Sequence, residues 1–358
     1  MSKLVLERDR SIDFLRSIAC IAVVLMHVVA TFWYSTPVRY LTLDEYYCQQ
    51  KEYIQEFGVL EFQSAGWYVC SLIDALTRFS VPCFVMISGA LVLNKERIPM
   101  VYLWTKFKHV VKIVVLWGCI IGLLTYISAR IFSEPIMLSL FVRTMVNGNG
   151  VFWFLYMLLP LYIASPVFKV IISNKETGLL FVVLWLFLSI ILPFVKVSIP
   201  SLTNNVNLEY MNLFSAYSGY YTVGGILYNG GWGGHILKNR KIVFISVLVS
   251  LMFVTILQPS GLWHNFTNPF CACISIFVFC LILRYKPGKH LGKLATIFAK
   301  QTLGIYGLHI FFLKTIKTLW HPNAEIWIVQ IVLYFILILA LSFFMSKLLK
   351  VIPFLRDI

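Results

Sequence analysis

The chain has 358 residues, of which 59% are hydrophobic and 13% charged, and its mean hydropathy is +0.83. That composition excludes an ordinary soluble domain and reads as a polytopic integral membrane protein. The formal net charge of +15 does not point to nucleic acid, because the basic residues are not gathered on a soluble face.

Ten apolar stretches of about 17–25 residues are each long enough to cross roughly 30 Å of hydrocarbon. They are predicted as helices at 12–34, 66–93, 109–132, 151–172, 178–195, 212–229, 242–258, 268–285, 299–318 and 326–348. The expected fold class is all-α, a membrane helix bundle. With no linker or long charged run, residues 1–358 read as one domain. A cytoplasmic amino terminus puts about 21 of the 30 Lys and Arg on the inner side, from Lys3, Arg8 and Arg10 through Lys95 and Lys106 to Lys347, Lys350 and Arg356. This is the distribution the positive-inside rule requires, so both termini are expected in the cytoplasm.

The first stretch carries Arg16 and His27. At about 100° and 1.5 Å per helical residue, eleven steps return His27 almost above Arg16, roughly 16 Å along the same face. Ionisable groups within a span are costly and usually mark a substrate or proton path. Asp13, one turn before Arg16, either orients it or is solvated at the interface. The segment is too long and too polar for a cleaved signal peptide and is expected to remain as a span.

The loop at 35–65 is read as external, with Asp44, Glu45, Glu52, Glu56 and Glu61 able to cover a cavity mouth. Cys48 and Cys70 lie toward that side and are candidates for a disulfide. Asp74 and Arg78 share one helix face in the second stretch and read equally as a structural ion pair or as site-lining charges. After them Pro82 is expected to kink the helix, and Ser88-Gly89 permits close approach of a helix or ligand. Lys106, Lys108, His109 and Lys112 open the third stretch at the inner face, where phosphates or anionic headgroups are attracted.

Later in the chain the signals thin out. Cys20, Cys83, Cys119, Cys271, Cys273 and Cys280 read as packing residues, and no metal site is expected. The Gly-rich loop at 230–234 lacks the Lys-Ser/Thr of a phosphate-binding loop. His235, His264, His290 and His321 read as solvated loop residues. His309, midway along the ninth stretch, is either a helix-packing histidine, the reading the residues alone favour, or a second site residue. Trp67, Trp153, Trp232, Trp263 and Trp320 fall near predicted helix ends as interface anchors, and outer ones are candidates for stacking on sugar rings.

Taken together, Arg16-x10-His27, Arg78-x-Ser-Val-Pro82-x-Phe-x-Met-Ile-Ser88-Gly89, Phe152-Trp153-Phe154-Leu155 leading to Tyr162 and Pro166, Tyr220-Tyr221-x-x-Gly224-Gly225 and Tyr306-x-x-His309 occur in order along most of the chain. This pattern resembles the membrane-bound acyltransferase family 3. The Ser-Val-Pro run and the last segment are most similar to its branch of O-antigen and enterobacterial common antigen O-acetyltransferases. The resemblance implies an enzyme of the bacterial cytoplasmic membrane that moves an acyl group, usually acetyl, from cytoplasmic acetyl-CoA to a hydroxyl of a polysaccharide or lipid-linked glycan. Acetyl-CoA is then a co-substrate, and no permanently bound cofactor is expected.

In that reading His27 is the general base, Arg16 holds a CoA phosphate or carbonyl, and Arg78 stabilises the thioester oxyanion. Asp13, Asp74, Ser88, Lys106, Lys108, Trp153, Tyr306 and His309 are the candidate substrate-binding residues. The family's arginine-rich turn is replaced here by lysines and a histidine, which argues against a bidentate phosphate clamp. Two other classes compete: a transporter of a glycan or lipid intermediate, for which intramembrane charges and broken helices also speak, and an assembly subunit whose polar residues only pack. No repeat relates the two halves, which counts against transport.

Overall fold

The computed structural model describes residues 9–33, 60–61, 64–131, 142, 145–146, 150–198, 216–228, 266, 268–285 and 287–356. Among these the regular structure is entirely helical. The expected helix at 242–258, the loop acids up to Glu56, Cys48, His235, His264 and the Gly-rich loop lie outside the described residues. Among the described residues five helices are long and apolar enough to cross a membrane, and six if the bent pair at 153–173 counts as one span.

Each helix begins or breaks for a local reason. Asp9 caps α1 (Arg10–Trp33), its carboxylate accepting from the Ser11 and Ile12 amides at 2.8 and 3.3 Å, which satisfies donors the helix itself cannot. Ser64 caps α2 (Ala65–Thr77) in the same way, and α3 (Ser80–Leu93) follows at once. The expected kink at Pro82 is a break one turn earlier, at Arg78–Phe79. A proline cannot donate to the carbonyl four residues back, and that carbonyl, of Arg78, accepts instead from the Cys271 thiol at 3.6 Å.

The helix expected from 109 starts earlier, as α4 (Met100–Ile131), so its lysines are helical residues rather than a preceding loop. Next come α5 (Trp153–Ile163) and α6 (Ser165–Ser173), bent by 60° at Ala164 where Pro166 opens the second helix. Capped by Asn174, α7 (Lys175–Trp185) passes through a π-helical turn at Leu186–Ile191 into α8 (Leu192–Ser198). The bundle is completed by α9 (Ala216–Leu227), α10 (Pro269–Arg284), α11 (Lys289–Ala299), α12 (Thr302–Leu319) and α13 (Trp327–Leu349).

At the centre stands α1, packed against α2, α3, α10, α11, α12 and α13. The closest pair is α3 with α9, joined by reciprocal glycines. A β-carbon on Gly89 would lie 1.8 Å from the Tyr221 carbonyl oxygen, and one on Gly224 would lie 2.1 Å from that of Met86. The close approach expected of Ser88-Gly89 is thus to a helix backbone.

Hydrogen bonds gather one set of helix ends: the Tyr228 hydroxyl to Asp9, Ser11 to the Tyr285 carbonyl, Asn94 to the Gly225 carbonyl, and Lys169 to the Leu93 carbonyl. Arg10, Lys95, Lys106, Arg284, Lys289, Lys300 and Lys350 belong to this end. The other end carries Glu61, Glu325 and the bond from the Tyr334 hydroxyl to the Trp320 carbonyl. Between the ends, α4, α7 and α13 turn large apolar side chains outward, such as Val115, Leu180 and Phe344. Apolar surface of that extent suits a lipid environment rather than water.

Candidate active site

The Arg16 and His27 face of α1 carries polar groups at two levels, and different helices complete each. At the upper level α12 lays His309 beside His27, ring centroids 5.1 Å apart. His309 is 1% exposed, whereas His27 is half-buried and so borders accessible space. The His309 Nδ1 lies 2.7 Å from the Tyr306 carbonyl oxygen and 3.1 Å from that of Ile305. Tyr306 stands next to it, ring centroids 6.0 Å apart, and its own hydroxyl donates to the Val151 carbonyl.

The break between α2 and α3 supplies the charges of this level. Arg78 donates from Nε to Asp74 Oδ2 at 2.9 Å and from Nη2 to Oδ1 at 3.0 Å, a two-point fork. The Asp74 side chain is fully buried and that of Arg78 is 15% exposed. Both charges and the His309 ring are within electrostatic reach of His27. The Arg78 guanidinium sits 5.1 Å above the Phe266 ring, and Phe266 stacks on Trp153 at 5.9 Å. Tyr217 reaches Trp153 at the same centroid distance, 5.9 Å. An aromatic wall therefore runs from Trp153 to Arg78.

At the lower level Arg16 is within electrostatic reach of Lys106 and Tyr162, and Ser88 is a hydrogen-bond neighbour of the Tyr162 hydroxyl. Lys95 and Lys106 both stand over the Tyr102 ring, at 4.7 and 5.7 Å. Tyr221 packs against Tyr162 at 6.4 Å and shares a 2.8 Å hydrogen bond with Ser165. Cations and phenols at this depth suit an anionic ligand entering from the basic end.

His27, His309, Asp74, Arg78, Tyr306 and Trp153 thus meet at the upper level, and Arg16, Ser88 and Lys106 at the lower. Lys108 joins neither group. It is exposed over the Trp104 ring at 5.4 Å, on a surface groove of about 410 Å³ lined by α4 alone. Asp13 is 2% exposed, which removes its reading as a solvated interface residue. Both His290 and His321 are exposed; His321 lies outside the helices, as expected, whereas His290 is a helical residue in the first turn of α11 and not a loop histidine. Cys70 is buried on α2, and its pairing with Cys48 falls outside the described residues.

Sequence reasoning passed over Tyr102, Tyr217 and Phe266. For Tyr102 a signal existed, since it precedes Lys106 by one turn on the face of Leu103 and Val110 that turns inward. Tyr217 and Phe266 are brought in by tertiary packing and had none.

Comparison with curated proteins and with solved structures gave no match. The model of acyltransferase family 3, described as an acyltransferase domain, matches residues 9–347, which is nearly the whole chain and includes both levels of the site. The chain belongs to that acyltransferase family.

Proposed function

We propose that the protein is an O-acetyltransferase that takes acetyl from cytoplasmic acetyl-CoA and delivers it to a sugar hydroxyl of a cell-surface polysaccharide or its lipid-linked precursor, in the manner of O-antigen and enterobacterial common antigen acetylation. The observation that carries this reading is the stacking of two unlike polar levels on one face of α1. A cationic level of Arg16 and Lys106 lies toward the basic end, and a histidine level lies roughly 16 Å above it. An extended pantetheine arm is long enough to join them.

In this scheme Arg16 and Lys106 hold the phosphates or amide carbonyls of CoA, with Ser88 and Tyr162 as neutral partners. His27 takes the proton of the acceptor hydroxyl through a ring nitrogen as the oxygen attacks the thioester carbonyl. The C=O π electrons move onto the carbonyl oxygen, where the Arg78 charge stabilises them. Collapse of the tetrahedral intermediate breaks the C–S bond, and the proton on His27 returns to the departing sulfur. The aromatic wall from Trp153 to Arg78 offers flat faces for the sugar.

The same reading takes the chain as one domain of ten spans in the bacterial inner membrane, basic end and both termini in the cytoplasm, with acetyl-CoA as its soluble co-substrate. The test is mass-spectrometric O-acetyl content of surface glycan in a strain lacking this protein and complemented with wild type or His27→Ala at matched membrane levels. Wild type restores acetylation and His27→Ala does not. Equal restoration by both removes His27 as the base, and unchanged glycan on deletion turns the argument toward transport of a glycan intermediate.

A further inference from the structure

The two carbonyl oxygens that hold His309 Nδ1, those of Tyr306 at 2.7 Å and Ile305 at 3.1 Å, can only accept hydrogen bonds. Nδ1 therefore carries the hydrogen, and Nε2 is left as a bare acceptor. That nitrogen is buried with no hydrogen-bond partner among the described residues. An unmade hydrogen bond of this kind works against folding, and an apolar side chain would fill the position without it. Nε2 belongs to the ring that lies beside His27. A packing histidine needs only the Nδ1 contact; the orphaned acceptor at the edge of the site does not follow from packing.

A general base that receives a proton on one ring nitrogen must carry its hydrogen on the other, and that N–H needs an acceptor to fix the tautomer and the ring orientation. A carboxylate is the usual partner. Among the described residues the carboxylate at the upper level is that of Asp74, and each of its oxygens already accepts from the Arg78 fork.

Resting on the acyl-transfer reading, we propose that His309 is the positioning residue for His27: its Nε2 accepts from a single water that itself accepts from the ring N–H of His27, so that the other nitrogen of His27 faces the acceptor hydroxyl. A neutral imidazole replaces the carboxylate of the familiar arrangement. His309 keeps its Nδ1 hydrogen throughout and takes no proton. The Arg78 and Asp74 charges face the same pair from α2, and Tyr306 stands beside it on α12.

The experiment uses the purified full chain in lipid nanodiscs with acetyl-CoA and the acceptor glycan, comparing wild type, His27→Ala, His309→Asn and His309→Gln. Asn keeps a donor near the Nδ1 position and lacks the distal acceptor; Gln places an amide oxygen near the Nε2 position. The expected result is a fall in kcat of about a hundredfold for His309→Asn, with KM for both substrates and thermal midpoint near wild type, and a smaller fall for His309→Gln. Wild-type activity in His309→Asn overturns the proposal, as does an activity loss in both variants that tracks unfolding.

A wild-type protein without transfer activity, or His27→Ala with full activity, defeats the acyl-transfer reading instead, so the two failures are distinct. Because either His309 variant can lose its fold, side-chain 15N NMR of the wild type gives a second readout. His309 is expected as the Nδ1–H tautomer, with a hydrogen-bonded N–H on His27. An Nε2–H tautomer at His309 sinks the idea without any mutant.

Discussion

Asp74 and Arg78 are open to two readings from sequence, ion pair or site-lining charges, and the structure shows the ion pair. With Asp74 fully buried and bonded at two points, removing one partner strands the other charge in a low dielectric. Asp74→Ala is expected to destabilise the protein by about 3–5 kcal/mol, read as a lowered thermal midpoint in detergent. The double change Asp74→Ala with Arg78→Leu should recover most of that loss while leaving acyl transfer abolished. If single and double variants melt together, the pair is not what holds this corner of the site. The sequence made Arg16, His27 and the Asp74–Arg78 spacing legible because each is a within-helix relation. Lys106 and Lys108 were less legible: a run of cations fixes no helical phase, and only the inward stripe of Leu103 and Val110 separates the inner lysine from the outer one. Contact between His27 and His309 joins helices 282 residues apart in the chain, 309 minus 27, and no local pattern encodes it.

At the scale of elements, the site depends on how closely α3 and α9 approach, because α3 carries Ser88 and follows directly from Arg78 while α9 carries Tyr217 and Tyr221. The obstruction a β-carbon would meet at Gly89 or Gly224 is backbone, which cannot rotate away as a side-chain end can. Gly89→Ala and Gly224→Ala are each expected to lower stability by about 1–3 kcal/mol and to widen the crossing. At Gly288 nothing lies within 4 Å of a β-carbon, so Gly288→Ala is the matched control, within about 0.5 kcal/mol of wild type. Thermal melting of the three variants in one detergent checks this, and equal midpoints would show that the bundle absorbs the methyl groups. Small residues in apolar stretches were readable as a place of close approach, whereas the partner was not. The helix break expected of Pro82 falls one turn before it, at Arg78–Phe79, because a proline leaves the carbonyl four residues back without its helical donor.

For the molecule as a whole, the ends of the bundle differ in charge, and that difference decides which way a vectorial reaction can run. The 23 residues of α13 rise about 34 Å, enough to cross the hydrocarbon layer, and carry the chain from the end that holds Glu325 to the end that holds Lys347 and Lys350. In the proposed acetyl-CoA-dependent reaction, a basic end facing the cytoplasm would put Arg16 and Lys106 where the donor arrives and His27 further along the path toward the outer face; reversed, the cationic level would face a compartment without CoA. Single cysteines placed at exposed positions near the two ends distinguish the cases in a background whose native cysteines have been replaced. Glu325→Cys is expected to react with a membrane-impermeant maleimide on intact spheroplasts, and Lys289→Cys only after permeabilisation. The opposite labelling pattern would invert the bundle and with it the route from donor to acceptor, because the two levels on α1 are fixed in order by the helix that carries them both.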